Sequence, residues 1–242
     1  MTTKEKLLAL LEDSKGTFFS GEEIARTLQV SRAAVWKAVS ALREDGYTID
    51  AATNKGYRLS PDSDILSPQG IRRFLKPEYR DLDLTVLPTA PSTNALVREK
   101  ANQGCPEGCI IIACEQTAGR GRYGRQFFSP VDSGVYLSLL LRPTAYSPQQ
   151  ATCLTAAAAA AMCQAIEEVT GQQPGIKWVN DIFLHGKKVC GILTEAAVGL
   201  ETGTLNYMVL GAGINVYLPT DGFPEEIQSI AGALLEHSTP EV

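Results

Sequence analysis

The chain has 242 residues, 44% of them hydrophobic and 20% charged, and its 27 acidic and 22 basic side chains leave a net charge of -5. That length is enough for one large core plus a small second domain. The acidic balance excludes a protein whose whole surface coats nucleic acid or membrane, so any nucleic-acid contact has to be local.

The N-terminal stretch MTTKEKLLALLEDSKG carries acids inside its apolar run and has no small-residue cleavage site, which is not the pattern of a signal peptide. No run of about 18 apolar residues is present to span a bilayer, and the expected location is cytoplasmic. Leu7, Leu8, Leu10 and Leu11 share one face of a first helix that Gly16 stops. Ser20 with Glu23 three residues later reads as a capping box for a second helix with Ile24, Ala25 and Leu28 on its apolar face. Ser31 caps a third, in which Val35, Val39 and Leu42 repeat at helical spacing until Gly46.

Helix, short turn and helix at this spacing predict a helix-turn-helix whose second helix offers Ser31, Arg32, Ala33, Ala34, Trp36 and Lys37 to a major groove. The segments YTIDAA and GYRLS, joined by Thr53-Asn54-Lys55-Gly56, predict a hairpin, the wing of a winged helix. Residues 1–60 hold nine basic and eight acidic side chains, so position matters more than the total. Arg32 and Lys37 on the helix, with Lys55 and Arg58 on the wing, are placed to meet phosphates together. The other reading is a small helical protein-interaction domain. SPDSDILSP, with two prolines and no helical period, reads as a linker. The expected domains are therefore 1–62, winged helix, and 67–242, mixed α/β, an α+β chain overall.

In the larger part, LDLTVL, CIIIAC, VYLSLLL, KKVCGILTEAAV and LNYMVLGAGI are short β-branched-rich runs of strand character. Ser92 or Thr93 caps a helix that Gly104 ends; Ser147 and Pro148 open a second that Gly171 ends. The alanines from 156 to 161 predict a helix packed closely on the sheet over much of its surface. The six cysteines include no Cys-x-x-Cys pair and mostly stand in apolar runs, as free buried thiols of a reducing compartment do; a disulfide framework or a zinc site is the lesser reading.

The segment GRGRYGR, residues 119–125, matches G-x-G-x-x-G literally, but aromatics and Pro130 follow it where a dinucleotide fingerprint must open a helix. The kinase companions of a glycine loop are missing as well, and the only histidines are His185 and His237. Glycines alternating with arginines fit a mobile anion clamp, since bare backbone N–H groups approach an oxyanion and guanidinium groups add charge in bidentate geometry. An exposed basic loop without a ligand, or a nucleic-acid contact, is the alternative. Gly211 and Gly213 read equally as turn glycines or as ligand contacts, and Trp178 reads as core.

Taken together, PSTN (91–94), EQTAGRGRYGR (115–125), KWVND (177–181), KKVCGILTE (187–195) and GAGIN (211–215), in this order behind a winged helix, resemble the biotin–protein ligases of the bifunctional biotin operon repressor type. The resemblance covers nearly the whole chain and implies a catalytic domain of class II synthetase/biotin-ligase type. It also implies two steps: biotin attacks the α-phosphate of ATP to give biotinyl-5′-adenylate and pyrophosphate, and the acyl group then passes to a lysine of a biotin carboxyl carrier protein. Mg²⁺ shares the positive charge that brings carboxylate and triphosphate together. A regulator that senses biotin without full turnover, and a lipoate-type ligase of related fold, remain as alternatives.

By the same resemblance, Ser92, Thr93, Asn94, Gln116 and Lys188 contact biotin, and Arg120, Gly121 and Arg122 close over the acyl chain and adenylate. Lys177, Arg120 and Arg122 supply catalytic charge. Gly119, Arg125, Asn180, Asp181 and Asn215 lie near the nucleotide, and no side chain is assigned as a metal ligand. Ser31, Arg32, Ala33, Trp36, Lys37 and Lys55 contact operator DNA, which a homodimer formed on biotinyl-adenylate binding reads as a palindrome. Val179 stands where the family usually has proline, and Phe127 where a tryptophan often follows the loop. The small C-terminal β-barrel domain of repressor-type relatives is not visible in the chain.

Overall fold

The computed structural model describes residues 1–143, 150–199 and 204–235, and divides into two compact units, Met1–Asp81 and a second from Leu82 onward. In the first, α1 (Thr3–Asp13) opens with a capping box in which the Thr2 hydroxyl accepts from the Glu5 amide while the Glu5 carboxylate accepts from the Thr2 amide. A second box, between Ser20 and Glu23, starts α2 (Gly21–Leu28), and the Ser31 side chain accepts from the Ala34 amide to start α3 (Arg32–Glu44). All three helices begin where a hydroxyl satisfies an otherwise unpaired first-turn N–H. Leu7, Leu11, Ile24, Val35, Val39 and Leu42 meet in one core, and Ile49 and Leu59 close it from the hairpin of β1 (Ile49–Ala52) and β2 (Gly56–Leu59). Gly56 has φ +95°, and a Cβ there would stand 2.0 Å from the Phe19 carbonyl oxygen, so only glycine lets the hairpin bridge to Phe19.

The stretch read as a linker is partly structured. Ser67 caps a short helix, α4 (Pro68–Arg72), which packs on α1, and Arg73 lies 3.8 Å from the buried Glu12 carboxylate. The first unit therefore runs to Asp81, about one short helix and a turn beyond the expected boundary. Two prolines and three serines disguised a segment held by tertiary contacts with α1.

The second unit is built on a seven-stranded sheet in the order β3-β4-β5-β9-β8-β7-β6. Its strands are β3 (Leu84–Leu87), β4 (Ile110–Ala113), β5 (Gly134–Leu141), β6 (Gly175–Lys177), β7 (Asp181–Leu184), β8 (Lys187–Val198) and β9 (Leu205–Asn215). β3 and β4 are parallel, joined through α5 (Thr93–Asn102); every other pairing is antiparallel. Each of the five runs read as strands forms one. Directly paired residues of antiparallel strands share a face. The register Ser138↔Gly211, Leu140↔Val209, Gly191↔Gly213 and Glu195↔Val209 therefore puts these residues on one side of the sheet, where α5 packs on Leu140 and Val209. Leu137, Leu210, Ala212 and Ile192 face the other side, where α6 (Ala151–Thr170) lies.

α6 contacts the sheet by one stripe, with Thr155, Ala159 and Ile166 buried while Ala157, Ala160 and Ala161 are exposed. The alanine run thus does not bury much of its surface as expected: small side chains allow close approach on one side only, and the other faces solvent. Its expected start at Ser147 and Pro148 lies outside the described residues; its end at Gly171, φ +69°, is as expected. Gly211 and Gly213 are interior residues of β9 and not turn glycines. The cysteines are free, Cys109 and Cys190 buried but Cys153 exposed, against the expectation for thiols in apolar runs. A short helix, α7 (Glu225–Gln228), follows β9.

Candidate functional site

On the α5 face of the sheet, two adjoining cavities share Gly121, Arg122, Phe127, Asn180, Asp181 and Lys188 as lining. The inner one rests on the start of α5. Ser92 caps that helix, its hydroxyl accepting from the Ala95 amide at 3.5 Å, and also lines the cavity, so the two readings of this residue coexist. The amide of Thr93 donates to Gln116 Oε1 at 2.9 Å, and its hydroxyl donates to the same oxygen at 3.2 Å. Gln116 Nε2 donates to Ser129 Oγ at 3.1 Å. Ser138 Oγ stands 2.8 Å from Thr93 Oγ1 and 2.6 Å from Asn94 Oδ1, to which its hydroxyl donates. The Asn94 amide nitrogen donates to Glu195 Oε2 at 2.8 Å and the Leu193 carbonyl at 3.3 Å. These groups, buried at Ser92, Thr93, Asn94, Ser129 and Ser138, form a polar floor whose donors and acceptors are fixed in advance by their partners.

Depth comes from Gly191, Gly211 and Gly213, which line the same cavity. A Cβ on Gly211 would stand 2.0 Å from Asn94 Oδ1, and one on Gly213 2.4 Å from the Phe127 ring. A strand glycine of this kind marks a close approach. Phe127 itself packs edge-to-face on Tyr136, the ring centroids 6.4 Å apart, and forms the wall between the two cavities.

The glycine-arginine loop lies between β4 and β5 and folds back on itself. Gly121 N donates to the Arg125 carbonyl at 2.8 Å, and the turn places Tyr123 at φ +58° and Gly124 at φ +73°. Arg122 Nη1 donates to Asn180 Oδ1 at 2.8 Å; Asn180 Nδ2 donates to Asp181 Oδ1 at 2.8 Å; and Lys188 Nζ pairs with the same oxygen at 2.7 Å. This chain of polar groups crosses the junction of the cavities with two cations against one carboxylate, a net positive charge suited to an anion. The outer cavity, about 280 Å³, adds Arg125 and Asn215 and an apolar wall of Phe128, Phe223, Ile227 and Ile230.

Ser92, Thr93, Asn94, Gln116, Arg120, Gly121, Arg122 and Lys188 thus come together at the inner cavity, and Asn180 and Asp181 line both. Two expected contacts do not. Gly119 lines neither cavity; a Cβ on it would stand 2.4 Å from the Phe127 carbonyl, so it serves the loop's backbone path. Lys177 lies on the exposed edge strand β6 with its Nζ 5.3 Å from the centre of the Phe183 ring. Next to it Trp178, read as core, is 78% exposed, because β6 has a neighbour on one side only. Sequence reasoning missed Ser138, Ser129 and Gly191. The signals were a lone hydroxyl in the apolar run VYLSLLL and a glycine inside a β-branched strand.

In the first unit, a groove is lined by Arg32, Ala33 and Trp36 of α3 and by Thr53 and Asn54 of the hairpin. Ser31, Arg32, Ala33, Trp36, Lys37 and Lys55 are all exposed, and Trp36 keeps 61% of its surface in solvent. Arg58 differs: it pairs with Asp50 at 2.8 Å and stacks on Phe18 at 4.7 Å, which ties it to the hairpin.

Residues 86–215 match the Biotin/lipoate A/B protein ligase family, and residues 3–58 match an HTH domain. The chain is similar to the bifunctional ligase/repressor BirA of Bacillus spizizenii, 40% identical over 237 residues, with 98% of this chain and 72% of the relative covered. The Bacillus subtilis protein of the same name is 42% identical over 233 residues, covering 96% and 71%. Among solved structures, a biotin protein ligase from Aquifex aeolicus in complex with biotin and ATP is 31% identical with a TM-score of 0.51, over 63% of this chain and 59% of that one.

Proposed function

Because the chain belongs to the biotin/lipoate A/B protein ligase family, we propose that it activates biotin with ATP, transfers it to a lysine of a biotin carboxyl carrier protein, and represses transcription from operator DNA when biotin is abundant. The observation that carries the ligase half is the inner cavity. A fixed polar floor at Ser92–Asn94 and Gln116 is joined there to a cationic chain through Arg122 and Lys188, which suits a ligand with a hydrogen-bonding ring at one end and a carboxylate at the other.

The ring end meets Thr93, Asn94 and Gln116, whose orientations are set by Ser138, Ser129 and Glu195. The acyl chain runs over Gly213 and Phe127 toward the arginine loop. Arg120 and Arg122, with Lys188, neutralise the biotin carboxylate as its oxygen forms a bond to the α-phosphorus and pyrophosphate leaves. The outer cavity, apolar on one wall and bounded by Arg125, Asn180 and Asn215, accepts the nucleotide. Asp181 is the one carboxylate lining either cavity among the described residues, and Lys188 and Asn180 both use its Oδ1. Its second oxygen fits Mg²⁺, which takes one or two protein carboxylates and completes its shell with phosphates and water. Bound there, the ion would offset the charge of the departing pyrophosphate. In the second step the target lysine amine, having lost its proton, attacks the acyl carbon and AMP leaves. Lys177, off the cavity in this structure, acts only through a movement of the edge hairpin.

The groove between α3 and the hairpin supports the repressor half. Its exposed Arg32 and Trp36, with Lys37 and Lys55 exposed next to lining residues in the chain, suit a helix laid in a major groove with the wing on the adjacent backbone. Two copies joined when biotinyl-adenylate is bound would read a palindromic operator, and the protein works in the cytoplasm.

Incubation with radiolabelled biotin, ATP, Mg²⁺ and an apo carrier domain tests the ligase half: label should move to the carrier. Label confined to the small-molecule fraction would remove that half, and adenylate made without carrier labelling would leave a biotin-sensing regulator.

A further inference from the structure

At the other end of β4 from Gln116, Asp83, Cys105 and Cys109 bring a carboxylate oxygen and two sulfurs within 4.8 Å of one another. Seven residues of extended chain separate Cys109 from Gln116, about 23 Å at the rise of a strand, so this cluster is separate from the cavities. We propose that these three side chains form a site for one thiophilic divalent cation of the zinc type, which ties the CPEGC connection to the start of β3.

The backbone around the cluster is fixed without any ion. Ile110 N donates to the Asp83 carbonyl at 2.7 Å, which holds Asp83 beside Cys109. The Arg142 guanidinium donates to the Cys105 carbonyl from Nε at 3.0 Å and from Nη2 at 2.6 Å, and Cys105 N donates to the Lys100 carbonyl at 3.0 Å. Gly108 N is bonded to the Leu140 carbonyl at 3.0 Å, and a Cβ at Gly108, φ +92°, would stand 2.5 Å from Leu82 Cδ2. Both cysteine main chains are therefore positioned by partners outside the cluster, which reduces the ordering cost of binding.

Ligand chemistry selects the ion. Two thiolates and one carboxylate suit zinc, and zinc–sulfur bonds of about 2.3 Å give tetrahedral edges of about 3.8 Å, a contraction of at most about 1 Å for atoms that already lie within 4.8 Å of one another. Among the described residues no lysine or arginine forms an ion pair with Asp83, so three groups able to carry negative charge converge without a cation. On binding, each thiol gives up its proton to solvent and forms a metal–sulfur bond. Asp83 is exposed, which leaves a fourth position for water.

The full chain, reduced, desalted and titrated with Co²⁺, tests this. The expected result is thiolate-to-cobalt charge-transfer absorption with tetrahedral d–d bands, saturating at one ion per chain and displaced by Zn²⁺. Cys105→Ser and Cys109→Ser should each abolish the bands, and Asp83→Asn, at an exposed position, should move saturation to higher Co²⁺. Cys153→Ser should change nothing. Absence of the bands, or bands that survive Cys105→Ser, would overturn the site. If the buried Cys109→Ser variant fails to fold, Cys105→Ser and Asp83→Asn decide alone. Zinc should also slow maleimide labelling of Cys105; an unchanged labelling rate would equally count against it.

Discussion

Gly211 has no side chain because Asn94 occupies the place where one would stand, and Asn94 cannot retreat while Ser138, Leu193 and Glu195 hold its amide. Gly211→Ala should therefore lower biotin affinity by about tenfold or more, since forcing a methyl into a packed site costs typically 1–3 kcal/mol. Calorimetric titration with biotin checks it; unaltered affinity would mean that Asn94 is not a ligand contact. Arg122 is held by a single side-chain acceptor, Asn180 Oδ1, besides its contact with Tyr123. If that latch retains the adenylate, Arg122→Gly should shorten retention of biotinyl-adenylate and raise labelling of bystander lysines, read as label per protein in a mixture with a non-substrate protein. The residue types at the cavity were legible from the sequence. Their arrangement was not: strand register sets Gly191 in the cavity lining and Ser138 against Asn94, while Lys177, strong in the sequence pattern, falls on the edge strand β6 outside both cavities.

Among the elements, the winged helix was the most readable, because each of its helices begins at a hydroxyl cap, and α1 and α3 end near Gly16 and Gly46; these signals act within one turn of chain, while α2 ends instead on Gln29 at φ +55°. If α3 lies in the groove as its exposed face suggests, Arg32→Ala or Lys37→Ala should weaken operator binding. Where the contact is to phosphate, the slope of log affinity against log salt should fall by about 1. Biotin affinity should stay the same, and a fluorescence titration across several salt concentrations separates the two. Arg58→Ala should act differently, loosening the hairpin through loss of Asp50 and Phe18 contacts, with a lower melting temperature as the readout. For α6, composition gave the helix but not its exposure, since a polyalanine stripe is compatible with either face and only the position of β8 decides which is covered.

For the chain as a whole, Glu12 shows how a local pattern takes on a different meaning after folding. On the sequence it is one of the acids set inside the apolar run of the first helix, but α4 folds over it and leaves it 4% exposed. Burial, the largest influence, pushes its carboxyl above the ordinary 4.5, against the opposing pull of Lys15 and Arg73. A folded value raised above the unfolded one means that the stability gained from Glu12 is full below 4.5 and lost as pH rises through the raised value. Glu12→Gln, which cannot ionise, should raise the melting temperature of the first unit at neutral pH and give no gain below 4.5; equal effects at both would contradict the burial argument.

The sequence by itself determined the caps, the strand runs, the two-part division and the family, because these rest on nearest-neighbour backbone chemistry and on several motifs kept in order. Tertiary structure decided where the first unit ends, which glycines hollow the sheet, and that two cysteines meet an aspartate 22 residues before the first of them. Those depend on strand register and on which elements pack together, quantities fixed by contacts between residues far apart along the chain and therefore invisible in any short window of it.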